Sequence, residues 1–375
     1  MTDDPQAPGD AQTIGGAQAT DTPQEVGGGQ ATPAAAPISS PFVFTGRAGT
    51  YFRIWAISLC LSILTVGVYS AWGKVRKRRY LYAHTLLDGT GFDYRASPLA
   101  ILRGRAAAVA LFGGFALGGH FLPLLRLVLS LVLIVLLPWI IVASARFNAR
   151  NSAWRNITFG FDGTIREASK VLFGFGTLAI LTLGLGYPYY RMRRARFVIQ
   201  HHRFGSTPFK TDLAAGGFIV TYLLAGIAGI AGVVLLGLGA GVTAAATKAF
   251  GLAASPFVIV AFMVLTYTLY IALFACIRAS VGNLTFNAII VGPLRGRSAL
   301  RKRDMAWLYV SNVVVVLATL GLATPWVTVR MARYHAGRRR LVGESTPDSL
   351  TGAVGATAGA TGSEVSDLFD IDVSL

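Results

Sequence analysis

The sequence predicts an all-α polytopic membrane protein made of three internal repeat units, with short juxtamembrane β-strands. Three observations carry this. First, 53% of the 375 residues are hydrophobic and the mean hydropathy is +0.56, the balance of a chain solvated largely by lipid. Second, seven long apolar segments run through it, at 51–72, 106–122, 127–145, 171–190, 213 to about 240, 250–277 and 306–326. A helix needs about 20 apolar residues to cross a ~30 Å hydrocarbon core. Third, one signature recurs at the end of an apolar segment: LTVGVYSAWGKVRKRRY (64–80), LTLGLGYPYYRMRRARF (181–197) and ATLGLATPWVTVRMARY (318–334). The copies align without a gap.

Taken in order, residues 1–41 are rich in Gly, Ala, Gln, Pro and Thr, with five acids and no Lys or Arg. That composition predicts a disordered arm. It lacks the basic and apolar regions of a signal peptide. The membrane domain then occupies 42–342, and 343–375 form a second acidic, disordered tail ending in SDLFDIDVSL. Within the domain, aromatic residues alternate in FVFTG (42–46), GFDY (91–94), ITFGFDG (157–163) and NLTF (283–286). Period-two patterning predicts strands, with turns at Asp88-Gly89 and Asp162-Gly163. Strand edges cannot face lipid, so these pieces are expected to form a small β-layer at the membrane surface.

Shifting the sequence by 117 positions lays Phe42, Phe44 and Gly46 on Phe159, Phe161 and Gly163, His84 on His201, and Phe92 on Phe209. One unit therefore reads strand, apolar segment, glycine break, cationic stub, strand. The pairs 106–122/127–145 and 213–240/250–277 are inserted between units as hairpins. Pro123 and Arg126 mark one tip, Lys248 and Pro256 the other. Glycine runs (Gly113, Gly114; Gly226, Gly229, Gly232) predict close helix packing, and Pro138 a kink.

Inside each signature the helix is expected to break at Gly67, Gly184 or Gly321, where a residue without Cβ can leave the helix. A new helix then starts at Ser70-Ala71, Tyr187-Pro188 or Thr324-Pro325, with Pro188 and Pro325 at the first helical position. On that helix Trp72, Arg76 and Arg79 share a face, as do Tyr189, Arg193 and Arg196, and Trp326, Arg330 and Arg333. An aromatic ring with two arginines suits the interface, where guanidiniums reach anionic lipid headgroups. The same arginines could instead line a site for an anionic substrate.

All 34 Lys and Arg lie between Arg47 and Arg340, with only six acids among them. The cations cluster beside apolar segments. They are therefore read as orientation signals and anionic-lipid contacts rather than as a nucleic-acid surface. Arg103, Arg105 and Arg278 flank apolar segments, where their heads snorkel. His120 and Arg126 are placed at the opposite interface. Cys60 and Cys276 lie inside apolar segments, and no Cys/His spacing implies a metal. No phosphate-binding loop, zincin motif, nucleophile elbow or carboxylate pair is present, and no Asp or Glu lies within an apolar segment. The sequence thus predicts neither an enzyme nor a bound cofactor.

Two topologies fit. The strong charge step across 51–72 and the cation-free arm favour seven crossings. Four crossings with the signature segments dipping in and returning would instead put every cationic cluster on one side. Seven is the expectation.

The run LTVGVYSAWGKVRKRRYLYAHTLLDGTGFDY (64–94), its echoes, and the closing LGLATPWVTVRMARY resemble the YjgN-like family of bacterial inner-membrane proteins, over about 42–340. The resemblance implies a multi-pass protein of the bacterial inner membrane and brings no activity with it. Function is therefore left between transport of small anionic or neutral solutes and a membrane scaffold that holds partners through its tails and β-layer.

Overall fold

A computed structural model describes residues 38–121, 123–250, 256–344 and 346. The expected tails lie outside the described residues except at their inner ends. There, 38–41 and 343 belong to strands.

Ten short strands close into an antiparallel barrel: β1 (Ile38–Phe44), β2 (Thr85–Leu87), β3 (Thr90–Tyr94), β4 (Ser152–Trp154), β5 (Ile157–Phe161), β6 (His202–Phe204), β7 (Thr207–Thr211), β8 (Ile289–Val291), β9 (Leu294–Ser298) and β10 (Arg339–Gly343). Each strand pairs with its neighbours in sequence, and β10 closes onto β1, with Ile38 opposite Gly343 and Pro41 opposite Arg340. Closure removes the edges that a β-layer at a membrane surface would leave unpaired. This barrel corrects the all-α expectation.

Between successive hairpins the chain leaves the barrel as helices. The first excursion is α1 (Ala48–Leu64) and α2 (Ser70–Ala83); the second is α3 (Pro98–Phe121) and α4 (Pro123–Arg150). The third runs through α5 (Ile165–Ser169), a π-helical stretch (Lys170–Phe175), α6 (Gly176–Leu181) and α7 (Tyr187–Gln200). The last two are α8 (Ala215–Ala249) with α9 (Pro256–Asn287), and α10 (Lys302–Ala318) with α11 (Thr324–Gly337).

The junctions are constant. Every excursion starts four positions after a strand ends (Phe44 to Ala48, Tyr94 to Pro98, Phe161 to Ile165, Thr211 to Ala215, Ser298 to Lys302). Every excursion ends two positions before the next strand begins. The amide after the strand donates to the carbonyl between helix and strand: Thr45 to His84, Arg95 to Asn151, Asp162 to His201 and Ala299 to Arg338, all at 2.8–2.9 Å. In a meander of this order, all five excursions rise from one rim and the four hairpin turns lie at the other.

That geometry overturns seven crossings. Strands of three to seven residues fall short of the roughly 9–11 that a membrane-spanning strand needs, so this barrel lies on one side of the membrane and an excursion must return to the side it left. An odd number of crossings would part β1 from β10, and their pairing forbids it. Among the described residues four helices, within α3, α4, α8 and α9, are long and apolar enough to cross. The signature excursions are shorter. At about 1.5 Å per residue, the 17 residues of α1 reach roughly half as far as the 35 of α8.

Two smaller expectations are also corrected. NLTF (283–286) is the last turn of α9, because two alternating apolar residues fit a helix end as well as a strand. Asp162-Gly163 lies at a strand–helix junction rather than in a hairpin turn. The turns are Asp88-Gly89 and Arg155-Asn156, with both central residues at positive φ, and Gly205-Ser206 and Gly292-Pro293. Of the predicted glycine stripe, Gly229 and Gly232 face Leu273 and Leu269 across the α8/α9 pair.

The signature turn is the same in all three places. Thr65 is the C-cap of α1; the Val66 amide bonds Ile63 O (3.2 Å) and the Gly67 amide bonds Ser62 O (2.7 Å). This is a Schellman motif, with the left-handed residue one place before the glycine. Val66, Leu183 and Leu320 take φ of 49°, 51° and 49°, and the glycines that follow take 90–92°. Each threonine accepts from the backbone four residues on (Tyr69 at 2.9 Å, Gly186 at 2.8 Å, Ala323 at 3.1 Å), bridging the gap between helices. The tips are apolar, with Val66, Leu183 and Leu320 93–96% exposed.

Candidate functional site

Strand alternation turns one face of the barrel inward, and aromatic side chains fill it. Phe286, Phe42, Phe92, Trp154, Phe204, Phe159 and Phe209 form an unbroken chain of rings, with neighbouring centroids 5.1–6.4 Å apart. Such pairs hold one another in offset or edge-on geometry. Among them lies a cavity of about 470 Å³. Its wall continues past the strands onto the bases of the returning helices, through Tyr82 of α2, Asn148 of α4 and Ala332 and His335 of α11. The few polar residues are Tyr82, Asn148 and His335 on that helical side and Thr85, Ser152, His202 and Arg339 on the strands. Burial pushes the His202 imidazole down, and its Nδ1 lies 2.6 Å from Val198 O. The lumen is a mostly apolar chamber of the size and lining that hold small apolar ligands.

A second pocket, of about 180 Å³, shares a wall with the first at Phe286, Ile289, His335 and Arg339. Its character is opposite. Arg191 and Arg194 of α7, Arg278 of α9 and Arg339 of β10 line it, and among the described residues no carboxylate does.

The predicted signature residues divide into two groups. Arg79, Arg196 and Arg333 are rim latches: Arg79 donates to Tyr94 O (3.1 Å) and Ala96 O (3.4 Å), Arg196 to Leu213 O, and Arg333 to Gly46 O (3.2 Å). Ala96, Leu213 and Gly46 each stand two residues past a strand. Arg146 does the same to Gly163 O (3.3 Å) and Asn283 to Leu300 O (2.8 Å), so all five junctions carry one latch. Sequence reasoning missed Arg146 and Asn283. A constant spacing of seventeen (Arg79/Ala96, Arg146/Gly163, Arg196/Leu213, Asn283/Leu300) was the available signal.

The other arginines face elsewhere. Arg330 bonds Ser311 Oγ (2.7 Å) and Asn312 Oδ1 (2.8 Å) and lies 5.1 Å from the Trp326 ring, which is 42% exposed. Arg193 lies 4.6 Å from the ring of Phe175, against which Tyr189 packs edge-on at 5.4 Å. The π-helical stretch brings Phe175 to both. Arg76 is exposed, and Trp72 is half-buried and stacked on Tyr69. Tyr80 and Tyr334 cap the helix that opens their own excursion, α1 and α10: their hydroxyls accept from the Arg47 and Arg301 amides at 2.7 and 3.1 Å. Phe197 has no hydroxyl, and there a Thr164–Glu167 capping box replaces it. Pro188 and Pro325 are buried inside the first turns of α7 and α11. The His120 side chain lies outside the described residues, and the guanidinium of Arg105 bonds Ser70 Oγ.

The latches make a measurable claim. A guanidinium bonded to a carbonyl contributes about 1.5–3 kcal/mol, because removing it orphans the acceptor. Arg146→Ala and Arg196→Ala are therefore each expected to lower the melting temperature of the detergent-solubilised protein by several degrees, and Arg76→Ala to leave it unchanged. Equal effects from all three would remove the latch assignment.

The comparisons agree with this picture of a membrane-embedded chain. It is 29% identical over 142 residues to the inner membrane protein YjgN of Salmonella typhimurium, covering 38% of this chain and 36% of that one. It is also 29% identical to YjgN of Escherichia coli O157:H7 and of strain K12, over 39% of this chain and 37% of each relative. The chain thus matches little more than a third of the length of these relatives. No solved structure matches it. The predicted resemblance and the inner-membrane location both hold. The family described as "Bacterial protein of unknown function (DUF898)" matches residues 39–368, the barrel and all five helical excursions included, and the chain belongs to that family.

Proposed function

We propose that this inner-membrane protein is a carrier, not an enzyme, and that it takes a small apolar or amphiphilic molecule from the bilayer into the barrel lumen. The single observation behind this reading is the aromatic cavity of about 470 Å³, whose wall runs from the strands onto the bases of helices that return from the membrane. An apolar chamber of this kind favours neutral or lipid-like solutes over small hydrated ions. This revises the solute class that the basic charge alone favoured. Anionic lipids remain proposed partners of the exposed Arg76 and of the cations at the barrel rim. The scaffold alternative rested on the tails and the β-layer; all but the inner ends of the tails lie outside the described residues, and the β-layer is the barrel whose lumen carries the present reading.

Trp154 provides the test, since it lies inside the lumen and is 3% exposed. In a chain whose other five tryptophans are Phe, held in amphipol, a bromine-tipped dodecanol is expected to quench Trp154 saturably. Ala149→Phe, which narrows the lumen, is expected to abolish that quenching. Fluorescence that stays constant across the titration would dispose of the carrier reading.

A further inference from the structure

The outer wall of the barrel carries a charge arrangement that neither the lumen nor the rim latches use. Phe209, Ile289, Val291, Arg339 and Leu341 line the lumen. Alternation along the strands therefore turns Lys210 of β7, Ile290 of β8, Arg295 and Arg297 of β9, and Arg340 and Val342 of β10 outward. The register sets them side by side: Lys210 lies opposite Ile290, Ile290 opposite Arg295, and Arg295 opposite Val342. Arg297 lies directly opposite Arg340. Like charges so placed on neighbouring strands destabilise the ladder. Arg295 is paired with Asp212. Lys210, Arg297 and Arg340 are exposed, and among the described residues their side chains make no hydrogen bond or ion pair.

The chain that leaves this wall has the opposite charge. β10 ends at Gly343, three residues after Arg340, and 344–375 hold six acids with no Lys or Arg. Four of those acids, Glu364, Asp367, Asp370 and Asp372, fall in EVSDLFDIDV (364–373), outside the described residues, interleaved with apolar side chains. The wall likewise mixes its cations with Ile290 and Val342. The twenty residues from 344 to 363 can span up to about 70 Å, far more than the ~5 Å between neighbouring strands. Attachment also makes the encounter intramolecular, with an effective concentration on the order of millimolar. A free polyanion has no such advantage.

We propose that the acidic segment 364–373 docks on the outer wall of its own barrel, across β7 to β10, with its carboxylates against Lys210, Arg297 and Arg340. The ring of strands is closed and offers no edge for strand addition. Side chains therefore make the contact, and salt weakens it. The docking is independent of what the lumen holds.

The test uses the full chain in lipid nanodiscs and a carbodiimide, which joins a lysine amine to a carboxylate in contact with it. Mass spectrometry of the monomer band is expected to find Lys210 joined to Asp367, Asp370 or Asp372. Raising NaCl from 0.05 to about 0.5 M is expected to cut that product several-fold. Arg297→Gln combined with Arg340→Gln is expected to cut it about fivefold. The melting temperature of that variant should not fall, since both side chains are exposed and repel each other. Asp93→Lys puts an amine on the outer face of β3, across the ring from β8, and is expected to give little product with the tail. Equal yields at positions 93 and 210 would mean that the tail has no preferred wall, and an unchanged yield in the double variant that the arginines do not hold it. Either result overturns the proposal. Products found only between two chains give the wall to the tail of a second copy and overturn docking within one chain. Loss of the Lys210 product in discs containing anionic lipid, or on adding an equimolar oligonucleotide, assigns the wall to that polyanion instead and equally overturns it.

Discussion

Cysteines introduced as Arg76→Cys, Arg193→Cys and Arg330→Cys, one at a time in a chain whose Cys60 and Cys276 are Ser, will react with a membrane-impermeant maleimide from one face of the membrane only. That face will be the cytoplasmic one. The first statement follows from the barrel alone. Each of these positions lies on a helix that returns to the rim, and all five excursions share that rim. The second follows from charge: the 34 cations of the chain all lie between Arg47 and Arg340, most of them at or near the barrel, and cytoplasmic segments carry the Lys/Arg excess. Single cysteines at the hairpin turns, such as Asp88→Cys and Ser206→Cys, will label from the same face. The signature tips behave differently. Val66→Cys, Leu183→Cys and Leu320→Cys, on excursions about half as long as α8, will resist the reagent from either side. Labelling of positions 76 and 193 from opposite faces would restore an odd number of crossings and contradict the β1–β10 pairing.

What the sequence disclosed depends on the length of each element. The helix starts at Ser70, Tyr187 and Thr324 were legible, because a glycine, then Ser or Pro, then an aromatic ring and arginines is a long and redundant signal. Phe42, Phe92, Phe159 and Phe209 were legible as strand residues, and all four line the lumen. Closure of those strands into a barrel was not. SAW (152–154), HRF (202–204) and IIV (289–291) are three residues each, too short for period two to show. Pairing between Ile38 and Gly343 joins the two ends of the domain, a contact that no local pattern encodes. The second use of the arginines was not legible for a different reason. A cation at a helix base serves a phosphate headgroup or a strand-end carbonyl equally well, and only the repeated spacing to Ala96, Gly163 and Leu213 separates the two uses. The cationic pocket draws on α7, α9 and β10, so no window of sequence contains it.

The glycines that dominate the sequence are not the ones on which the fold depends most. Gly67, Gly184 and Gly321 adopt φ near 90°, but a Cβ at any of them meets nothing within 4 Å. An alanine there carries only the backbone strain, about 1 kcal/mol, and each occurs on one excursion of five. Gly296 of β9 and Gly91 of β3 have ordinary φ and look dispensable. A Cβ at Gly296 would sit closer than 3.0 Å to Phe286 O, and one at Gly91 equally close to Ala83 O. Both obstacles are backbone carbonyls of the last turn of a returning helix, in α9 and α2, so no side-chain rotation relieves them. To admit the methyl, either the strand leaves its register with Leu341 or Leu86, or the helix base moves and breaks its junction with the rim. Because the barrel is closed, a displaced strand parts two ladders at once. Gly296→Ala and Gly91→Ala are therefore expected to cost about 3 kcal/mol or more, seen as aggregation or a melting temperature lowered by ten degrees or so in detergent. Gly67→Ala and Gly321→Ala should lower it by only a few degrees. The reverse order, with the signature glycines the more sensitive pair, would mean that the broken helices rather than the barrel organise this domain.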